Sequence, residues 1–506
     1  MALTVGIDIG TTSTIGILIN TEGGTLALAE RPTELFSERP GWAEENPEQW
    51  WANACAVVGD LLARSGKRGG EIAAIGVTGM LPAVVLLDAQ SRLLRRSIQQ
   101  SDGRTGHEVE ALASEIDPAV FLQRTGNGIN QQLVAAKLRW LERHEPEVFG
   151  RIATVFGSYD YINWRLTGTR ALEQNWALES GFLDLGARAI DPELVALGHI
   201  EPRVLPPVKR SHEVIGQVTP EAAAATGLAA GTPVVAGCAD HVVSAYAAGI
   251  RQDGDVLIKF GGAGDILMAA RRARPDPRLF LDYHIVPGLF MPNGCMACSG
   301  AMLNWIVRTF AGAEAEPAAV AGKKTHQRLD RLAAKARPGA DGLVLLPYFL
   351  GEKTPIHDPY ARGTLIGLDL HHTLGHVWRA ALEAVVFGFK HHFEVFEELG
   401  TPARRVIASD GGAQSRIWMQ IAADALGQPI QLLDGHPGSC LGAAYVASVG
   451  VGALGDWDQI TRFVRPAGVV EPDPSTADSY EHAFRLFRET YESLKPLYPS
   501  LRVLQD

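Results

Sequence analysis

The residues best suited to chemistry stand near the N-terminus, in the run Asp8-Ile9-Gly10-Thr11-Thr12-Ser13. The glycine lets the backbone approach a polyphosphate, and the amides and hydroxyls after it can donate hydrogen bonds to the phosphate oxygens. Asp8 can hold Mg²⁺ through water, because this ion gives up its water shell reluctantly. The run therefore predicts a phosphate-binding turn beside a metal-binding carboxylate. The alternative is a surface hairpin whose hydroxyls serve only the turn.

A second turn, Gly261-Gly262-Ala263-Gly264, stands between the apolar stretches 256–260 and 266–268. It has permissive glycines but no hydroxyl, so Gly261 and Gly262 could hold a phosphate only by backbone amides. Taken alone, a plain tight turn explains the pattern equally well.

The elements that must position these turns are strands. Residues 5–9 and 14–19 predict a β-hairpin around the first turn, and the stretches around the second turn predict another. Two such hairpins indicate a duplicated architecture, with domains at 1–250 and 251–506. Buried strands are predicted at 73–77, 84–88 and 234–237, and helices at 377–399, 417–426 and 480–494.

Composition limits the classes of function. The chain has 506 residues and a net charge of −11, and it lacks a basic run, which argues against a nucleic-acid surface. Neither an export signal nor an apolar stretch of membrane-spanning length is recognisable. Five scattered cysteines fit a reduced, cytoplasmic setting. Cys295-x-x-Cys298 lacks a second ligand pair and is predicted to be two buried thiols, and the adjacent pairs His371-His372 and His391-His392 do not predict a metal site.

Several ordered motifs extend over nearly the whole chain. They are Asp8-x-Gly10-Thr11-Thr12-Ser13, Gly41-Trp42-x-Glu44-x-x-Pro47-x-x-Trp50-Trp51, Ser101-Asp102-x-Arg104-Thr105, Asp160-Tyr161-Ile162 with Leu166-Thr167-Gly168, Gly231-Thr232-Pro233-Val234-Val235-x-Gly237-x-x-Asp240, Leu346-Pro347-Tyr348-Phe349-Leu350-Gly351-Glu352-Lys353-Thr354-Pro355, Asp358-Pro359-x-Ala361-Arg362-Gly363, and Gly411-Gly412-Ala413-x-Ser415 with Trp418-x-Gln420-x-x-Ala423-Asp424. In these motifs the chain resembles the FGGY carbohydrate kinases, the group containing xylulokinase, ribulokinase, gluconate kinase and glycerol kinase, and is most similar to xylulokinase-like members.

This resemblance implies an α/β fold of two actin-like, ribonuclease-H-like domains facing across a cleft that binds ATP and sugar. It implies that Asp240 is the catalytic base, which orients the sugar hydroxyl and accepts its proton late. A helix N-cap is the structural alternative for Asp240, and both can hold together. The resemblance also implies that Gly411, Gly412, Ala413 and Ser415 form an adenosine loop.

The sugar side is implied to include Asp102, with Arg104 left undecided between a sugar contact and a surface ion pair. Met80 and Leu81 stand where xylulokinases usually carry a polar Gln-Met-His-Gly stretch, so an apolar wall would face the sugar and preference could change greatly. Asp410 stands where the family often has a third glycine. Glu352, Lys353, Asp358 and Arg362 are interpreted as a buried ion-pair network.

The sequence thus predicts ATP- and Mg²⁺-dependent phosphorylation of a small sugar, and the first candidate is a ketopentose such as xylulose. The alternatives are a kinase for another polyol or sugar acid, of the ribulose, glycerol, erythritol or gluconate type, and an actin-like ATP-binding regulator without turnover. Retention of Asp8 and Asp240 speaks against the regulator. The expected partner is the small-molecule substrate, without nucleic acid or membrane, and a homodimer is kept as an expectation.

Overall fold

A computed structural model describes residues 2–310, 318–436 and 438–502, which form two compact units. Unit 1 comprises Met1–Arg251, Arg271–Met291 and Pro437–Val464, and unit 2 comprises Gln252–Ala270, Pro292–His436 and Arg465–Asp506. The predicted domains follow chain order, whereas unit 1 also takes in two later segments.

The centre of unit 1 is a seven-stranded mixed sheet. Its central strand Ile72–Gly79 pairs in parallel with Leu3–Ile9 on one side and with Pro233–Val235 and Cys238–Ala239 on the other. The apolar runs of these strands fit a sheet that is covered on both faces. The full order is Val214–Gln217, Pro233–Val235, Ile72–Gly79, Leu3–Ile9, Ser13–Asn20 and Thr25–Pro32, with Cys238–Ala239 also on Ile72–Gly79.

The first predicted hairpin is confirmed. Strands Leu3–Ile9 and Ser13–Asn20 pair antiparallel, with Asp8 opposite Ile15, and the amide of Gly10 donates to the carbonyl oxygen of Ser13 at 3.0 Å. The turn therefore follows directly from the end of a buried strand.

Helix Ser439–Gly450 packs on the sheet of unit 1 although it lies late in the chain. A Cβ at Gly6 would lie 1.9 Å from the Cys440 carbonyl oxygen, and one at Gly76 2.3 Å from that of Ala443. Real Cβ atoms never come so close, so these two glycines allow the helix to contact the sheet backbone. Helix Pro47–Ser65 covers the other face, where a Cβ at Gly16 would meet Val57.

The remaining elements of unit 1 surround this sheet. Its other strands are Glu44–Glu45, Val85–Leu87, Ser97–Ile98, Thr154–Phe156, Leu172–Glu173, Leu183–Asp184, Ala189–Ile190, Val208–Lys209 and Phe280–Tyr283. Its other helices are Gly106–Glu115, Pro118–Thr125, Val134–His144, Pro146–Phe149, Ser158–Thr167, Gln174–Glu179, Pro192–Ala196, Pro220–Thr226 and Asp240–Ala247, with 3₁₀ turns at Pro202–Val204 and Trp457–Arg462.

Unit 2 repeats the topology of the first sheet. Strand Asp255–Phe260 pairs antiparallel with Gly264–Met268 and in parallel with Arg405–Ser409, just as Leu3–Ile9 has one antiparallel and one parallel neighbour. The predicted second hairpin and the duplicated architecture are therefore confirmed. Within unit 2 the strand order is Phe290–Met296 (in unit 2 from residue 292), Gly264–Met268, Asp255–Phe260, Arg405–Ser409, Ile430–Leu433 and Pro466–Val470.

The longest helix of unit 2 is Leu374–Glu398, close to the predicted 377–399. Its apolar positions at three- and four-residue steps are buried, as an amphipathic core helix requires. The other elements are strands Val344–Leu346 and Thr364–Ile366, helices Gly300–Phe310, Ala318–Ala333, Arg416–Leu426, Ala477–Leu494 and Tyr498–Arg502, and 3₁₀ turns Ala340–Gly342, Gly411–Gln414, Pro474–Thr476 and Lys495–Leu497. Among helices of the described residues, none combines the length and apolar character that a bilayer crossing needs.

Candidate active site

Three predicted site segments of unit 1 meet at one end of its sheet. Asp8 and Ile9 lie opposite Thr78 and Gly79 in the parallel register, and Cys238 and Ala239 lie opposite the same two residues from the other side. The Gly10 turn, Met80 and Asp240 therefore follow the carboxyl ends of three neighbouring strands. Strand spacing puts the two outer chain positions about 10 Å apart. Carboxyl ends of parallel strands are where α/β sheets bind ligands.

The first turn has the groups that phosphate binding needs. Gly10, Thr11 and Ser13 are half-buried and Thr12 is exposed. The Thr11 hydroxyl lies 3.6 Å from the Met80 sulfur, which places the turn against the residue after the central strand. The predicted role in ATP binding stays a prediction.

Asp8 is half-buried at the end of its strand. The hydroxyl of Ser439 donates a hydrogen bond to Asp8 Oδ2. A carboxylate with a neighbouring hydroxyl is an oxygen donor set that fits Mg²⁺, which proteins usually bind through one or two carboxylates and water. Ser439 was not found from the sequence, because only the packing of helix Ser439–Gly450 brings it here.

Asp240 is the first residue of helix Asp240–Ala247, and its side chain is 36% exposed. Its Oδ1 accepts the backbone N–H of His241 at 2.6 Å. Within the described residues, no protein group donates to Oδ2. The N-cap alternative is wrong by one position, because the N-cap is Ala239. A partly exposed carboxylate with one oxygen engaged can still accept a proton from a substrate hydroxyl.

Asp102 and Arg104 form a buried pair. Arg104 donates to both carboxylate oxygens of Asp102, at 2.7 and 2.6 Å, and its side chain is 1% exposed. Its guanidinium also reaches Glu44 at 2.8 Å and lies 3.8 Å above the ring of Trp42. Burial lowers the pKa of Arg104, but the hydrogen bonds to the two carboxylates outweigh that effect and raise it. The surface ion-pair interpretation is therefore wrong.

Asp102 also accepts two backbone amides, that of Ala43 on Oδ2 at 2.6 Å and that of Arg104 on Oδ1 at 3.0 Å. This pair thus fastens the segment around Trp42 and Glu44 to the segment around Asp102. Trp42 and Glu44 were visible in the sequence only as motif positions without a role. Sugar binding by Asp102 stays a prediction.

Met80 and Leu81 are buried, at 3% and 6% exposure. Next to them, the amine of the buried Lys137 donates to the carbonyl oxygen of Pro82 at 2.9 Å. Burial lowers the pKa of this amine to about 7. The apolar residues Met80 and Leu81, next to Lys137, thus stand where xylulokinases usually carry a polar stretch. The contact of Met80 and Leu81 with a sugar stays a prediction.

Unit 2 has its own cavity of about 660 Å³ at the second turn and the adenosine loop, residues 411–415. Five of the predicted ATP-binding residues line it, and aromatic side chains form its walls. The lining includes Phe260, Gly261, Gly262, Gly300, Leu303, Asn304, His326, Asp330, Trp378, Gly411, Gly412, Ser415 and Trp418. Ala413 is not among the lining residues. Size and apolar walls with a few polar groups are typical of a small-molecule site.

Two hydrogen bonds brace one wall of this cavity. Asp330 accepts from the indole N–H of Trp378 and from the hydroxyl of Ser415, both at 2.8 Å. Gly412 is required by close packing, because a Cβ there would lie 2.5 Å from the Trp418 ring. Asp330 and the tryptophans lacked any sequence signal for a ligand site.

The second turn is held from outside by the helix that begins at Gly300. The carbonyl oxygen of Gly261 accepts the amide of Gly300 at 2.9 Å, and that of Gly262 accepts the amides of Ser299 and Ala301. The turn carbonyls are thus occupied, consistent with amides being the groups offered to a ligand. Phosphate binding at Gly261 and Gly262 stays a prediction.

The remaining motifs have structural explanations. All five cysteines are free thiols, as predicted. Asp369, His371 and His372 bring ligand atoms within 4.8 Å of one another, but Nδ1 of His372 already accepts the Asp369 amide and Nε2 lies 3.3 Å from the Asp341 carbonyl oxygen. These bonds would have to break for an ion to bind.

The Gly-Glu-Lys-Thr-Pro segment, residues 351–355, is held in place by hydrogen bonds to backbone amides. Glu352 accepts the amides of Ala297 and Lys353, and burial raises its pKa to about 8. Asp358 accepts the hydroxyl of Tyr491 at 3.0 Å. The ion-pair network stays a prediction, and the observed contacts are hydrogen bonds.

Comparison with known proteins agrees with this architecture. Residues 3–247 match the model of the N-terminal domain of the FGGY family of carbohydrate kinases, and residues 261–451 match that of its C-terminal domain. A xylulose kinase of Bacillus subtilis (strain 168) is 30% identical over 506 residues, covering 99% of each chain. The structure of a xylulose kinase from Rhodospirillum rubrum has 55% identity and a TM-score of 0.94, covering 98% of this chain and 99% of that one. A gluconate kinase from Lactobacillus acidophilus has 25% identity and a TM-score of 0.92, covering 99% of both.

Proposed function

Since this chain belongs to the FGGY family of carbohydrate kinases, we propose that it transfers the terminal phosphoryl group of ATP to a hydroxyl of a ketopentose, xylulose first, with Asp240 as the base. The observation on which this proposal depends is that the Gly10 turn, Met80 and Asp240 follow three neighbouring strands at the same end of the sheet. A phosphate-binding turn and a proton acceptor at one sheet end are the two parts that transfer to an alcohol needs.

Asp240 acts on the acceptor hydroxyl. Its Oδ2 accepts a hydrogen bond from that hydroxyl and orients the oxygen toward the phosphoryl group. Because the transition state of phosphoryl transfer is loose, the proton moves late, so a carboxylate is a sufficient base. The main contribution of Asp240 is therefore to position the nucleophile.

Each unit offers its own groups for the nucleotide. In unit 2 the cavity takes the adenosine, with Gly411, Gly412 and Ser415 in its lining and Ala413 between them in the chain, and the amides of Gly261 and Gly262 are the donors for phosphate. In unit 1 the amides of the Gly10 turn are the donors for phosphate. Asp8 holds Mg²⁺, which when bound neutralises the charge developing on the phosphates. Ser439 orients the Asp8 carboxylate through its hydrogen bond.

Xylulose is proposed first because two of the compared relatives named above are xylulose kinases. The apolar Met80-Leu81 stretch is the one feature that favours another acceptor, and a sugar acid is the second candidate because a gluconate kinase shares this fold at 25% identity. A regulator without turnover would bind ATP and leave every sugar unchanged.

The test measures ADP release by the purified protein with ATP, Mg²⁺ and a panel of ketopentoses, polyols and sugar acids. Xylulose should give the highest kcat/KM. Asp240→Asn should lower kcat by a factor of about 100 or more, since general bases contribute 10²–10⁴, while calorimetry should show that sugar and ATP still bind.

The matched control is Asp117→Asn. Asp117 is an exposed helix N-cap whose carboxylate accepts the Ala119 amide at 2.8 Å, and asparagine caps helices equally well. Its turnover should equal that of the wild type. Unchanged turnover in Asp240→Asn would exclude Asp240 as the base, and ADP release that no sugar stimulates would favour the regulator.

A further inference from the structure

The residue after the proposed base is a histidine between carboxylates. His241 Nε2 lies 2.9 Å from Asp282 Oδ2 and 3.8 Å from Glu179 Oε1, while its Nδ1 lies 3.3 Å from Asp240 Oδ1. Both ring nitrogens thus face carboxylate oxygens, which only accept hydrogen bonds when ionised. In a neutral ring one of the two nitrogens carries a lone pair, and that lone pair would face a carboxylate oxygen and be repelled by it. The arrangement therefore favours the doubly protonated imidazolium.

The charges around the ring favour the same state. Asp282 is 1% exposed on strand Phe280–Tyr283, and Glu179 ends helix Gln174–Glu179. Burial lowers the pKa of His241, but Asp282, Asp240 and Glu179 outweigh it and raise the pKa well above its usual value.

Glu179 belongs to the same buried group as His241 and Asp282. Burial and the neighbouring Asp282 raise the pKa of Glu179 well above its usual value. The buried amine of Lys137 interacts electrostatically with Glu179 as well as with Asp102 and Arg104. The ring of His241 is therefore surrounded by three carboxyl groups, those of Asp240, Glu179 and Asp282.

We propose that His241 is a positioning residue for the base: as an imidazolium fixed by Asp282, it holds Asp240 Oδ1 and leaves Oδ2 as the oxygen that receives the sugar proton. The backbone amide of His241 donates to the same Oδ1 at 2.6 Å, so one residue binds that oxygen twice. This role rests on the proposed function of Asp240.

The ligand atoms of Glu179, His241 and Asp282 also lie within 4.8 Å of one another, as in a metal site. The 2.9 Å contact between His241 and Asp282 is a charge-assisted hydrogen bond. Because metal ligation needs an unprotonated ring nitrogen, an ion would have to displace the proton that makes this bond. The ion pair accounts for the closeness of the three side chains.

The decisive variant is Asp282→Asn, which keeps the shape and removes the charge that fixes the ring. A raised pKa means that the imidazolium is present below that pKa and lost as pH rises through it. In wild type it persists through neutral pH, whereas in Asp282→Asn it should deprotonate near pH 6–7, as ordinary histidines do. We expect kcat of the variant to fall about tenfold between pH 6 and 8, a usual effect of losing one oriented group, with sugar KM within about twofold.

Asp117→Asn, the exposed N-cap variant described above, is the control, because Asp117 lies outside this cluster. Its kcat–pH profile should superpose on that of the wild type. His241→Asn should lower kcat at every pH and, unlike Asp282→Asn, should show no decline between pH 6 and 8. A purely structural role for the cluster would change the unfolding temperature of these variants and leave the shape of the profile unchanged.

The protonation state is measured without turnover by ¹⁵N NMR of histidine-labelled wild type, with His241→Asn used to assign the resonance. An imidazolium above pH 7.5 is expected, and a neutral ring at pH 7 would overturn the proposal even if Asp282→Asn fails to fold. A pH profile of Asp282→Asn identical to that of wild type would also overturn it while leaving the kinase intact. Wild type that turns over no sugar would instead refute the proposed function.

Discussion

Replacing Asp410 with glycine should stabilise the protein, because this aspartate has a glycine backbone conformation. Its φ is 72° and its ψ is −172°, a region that residues with a Cβ almost never occupy. The residue links strand Arg405–Ser409 to the adenosine loop, where the family often has glycine. The only hydrogen bond that its carboxylate makes to described residues is a long one, 3.4 Å from the Ser409 hydroxyl. Little is therefore lost with the side chain.

The magnitude follows from two opposing effects. A residue held in this region costs about 1–3 kcal/mol, and the greater freedom of glycine in the unfolded chain costs about 0.5–1 kcal/mol. The net gain is at most about 2.5 kcal/mol and is about 1 kcal/mol at the middle of both ranges. For a unit of about 150–250 residues, each kcal/mol shifts Tm by about 2–4 °C, so a gain of about 1 kcal/mol should raise Tm of the unit by about 2–4 °C.

The assay is differential scanning calorimetry of Asp410→Gly and Asp410→Ala beside the wild type. Alanine removes the carboxylate but keeps a Cβ, so it should leave Tm within about 1 °C of wild type by this reasoning. The carboxylate also stands beside the second turn, since a Cβ at Gly261 would lie 3.2 Å from Asp410 Oδ2. Both variants should therefore bind ATP more tightly, because a negative charge beside the phosphates is lost.

The two readouts separate strain from charge. Equal stabilisation by alanine and glycine would show that the carboxylate, and not the backbone, is the unfavourable feature. A lower Tm for Asp410→Gly would refute the strain argument altogether. Both results can be read from the same two proteins.

Two further predictions test the packing of unit 1. Gly76→Ala would put a Cβ 2.3 Å from the carbonyl oxygen of Ala443 and should lower the free energy of unfolding in urea by about 3 kcal/mol or more. Its control is Gly59→Ala, which lies in a helix with open space around it and should raise that free energy by up to about 1 kcal/mol. Arg104→Lys keeps the positive charge but loses the two-point contact and the stacking on Trp42, which should cost about 1.5–3 kcal/mol, as a lost hydrogen bond to a charged group does. Sugar KM should rise; an unchanged KM would separate this pair from substrate binding.

Local patterns were sufficient to predict the elements around the site. The hairpin at Gly10 and the helix Arg416–Leu426 have strong periodic or turn signals over a few residues. The fold class followed from two hairpins and the resemblance, and the family match is consistent with it. Asp240 was singled out by the resemblance, and the structure places it directly after a short strand.

Long-range packing carried no such signal. Helix Ser439–Gly450 is apolar all round, which indicates burial but not against which sheet. Its place beside Gly6 depends on a close backbone approach between residues more than 400 positions apart. Glu179 and Asp282 are single acidic residues far from His241 in the chain, and isolated carboxylates usually lie on surfaces. Only the folded chain brings them together.

The two predicted sugar-side carboxylates differ in the hydrogen bonds that they accept. Both oxygens of Asp102 accept from the Arg104 guanidinium, and each also accepts a backbone amide, Oδ2 from Ala43 and Oδ1 from Arg104. Asp240 has both of its donors on Oδ1. Proton acceptance by Asp102 would break a two-point ion pair in a buried place, which is costly because the guanidinium would lose its partner. Acceptance at Oδ2 of Asp240 breaks no hydrogen bond within the described residues, so these contacts favour Asp240 over Asp102 as the proton acceptor that we propose.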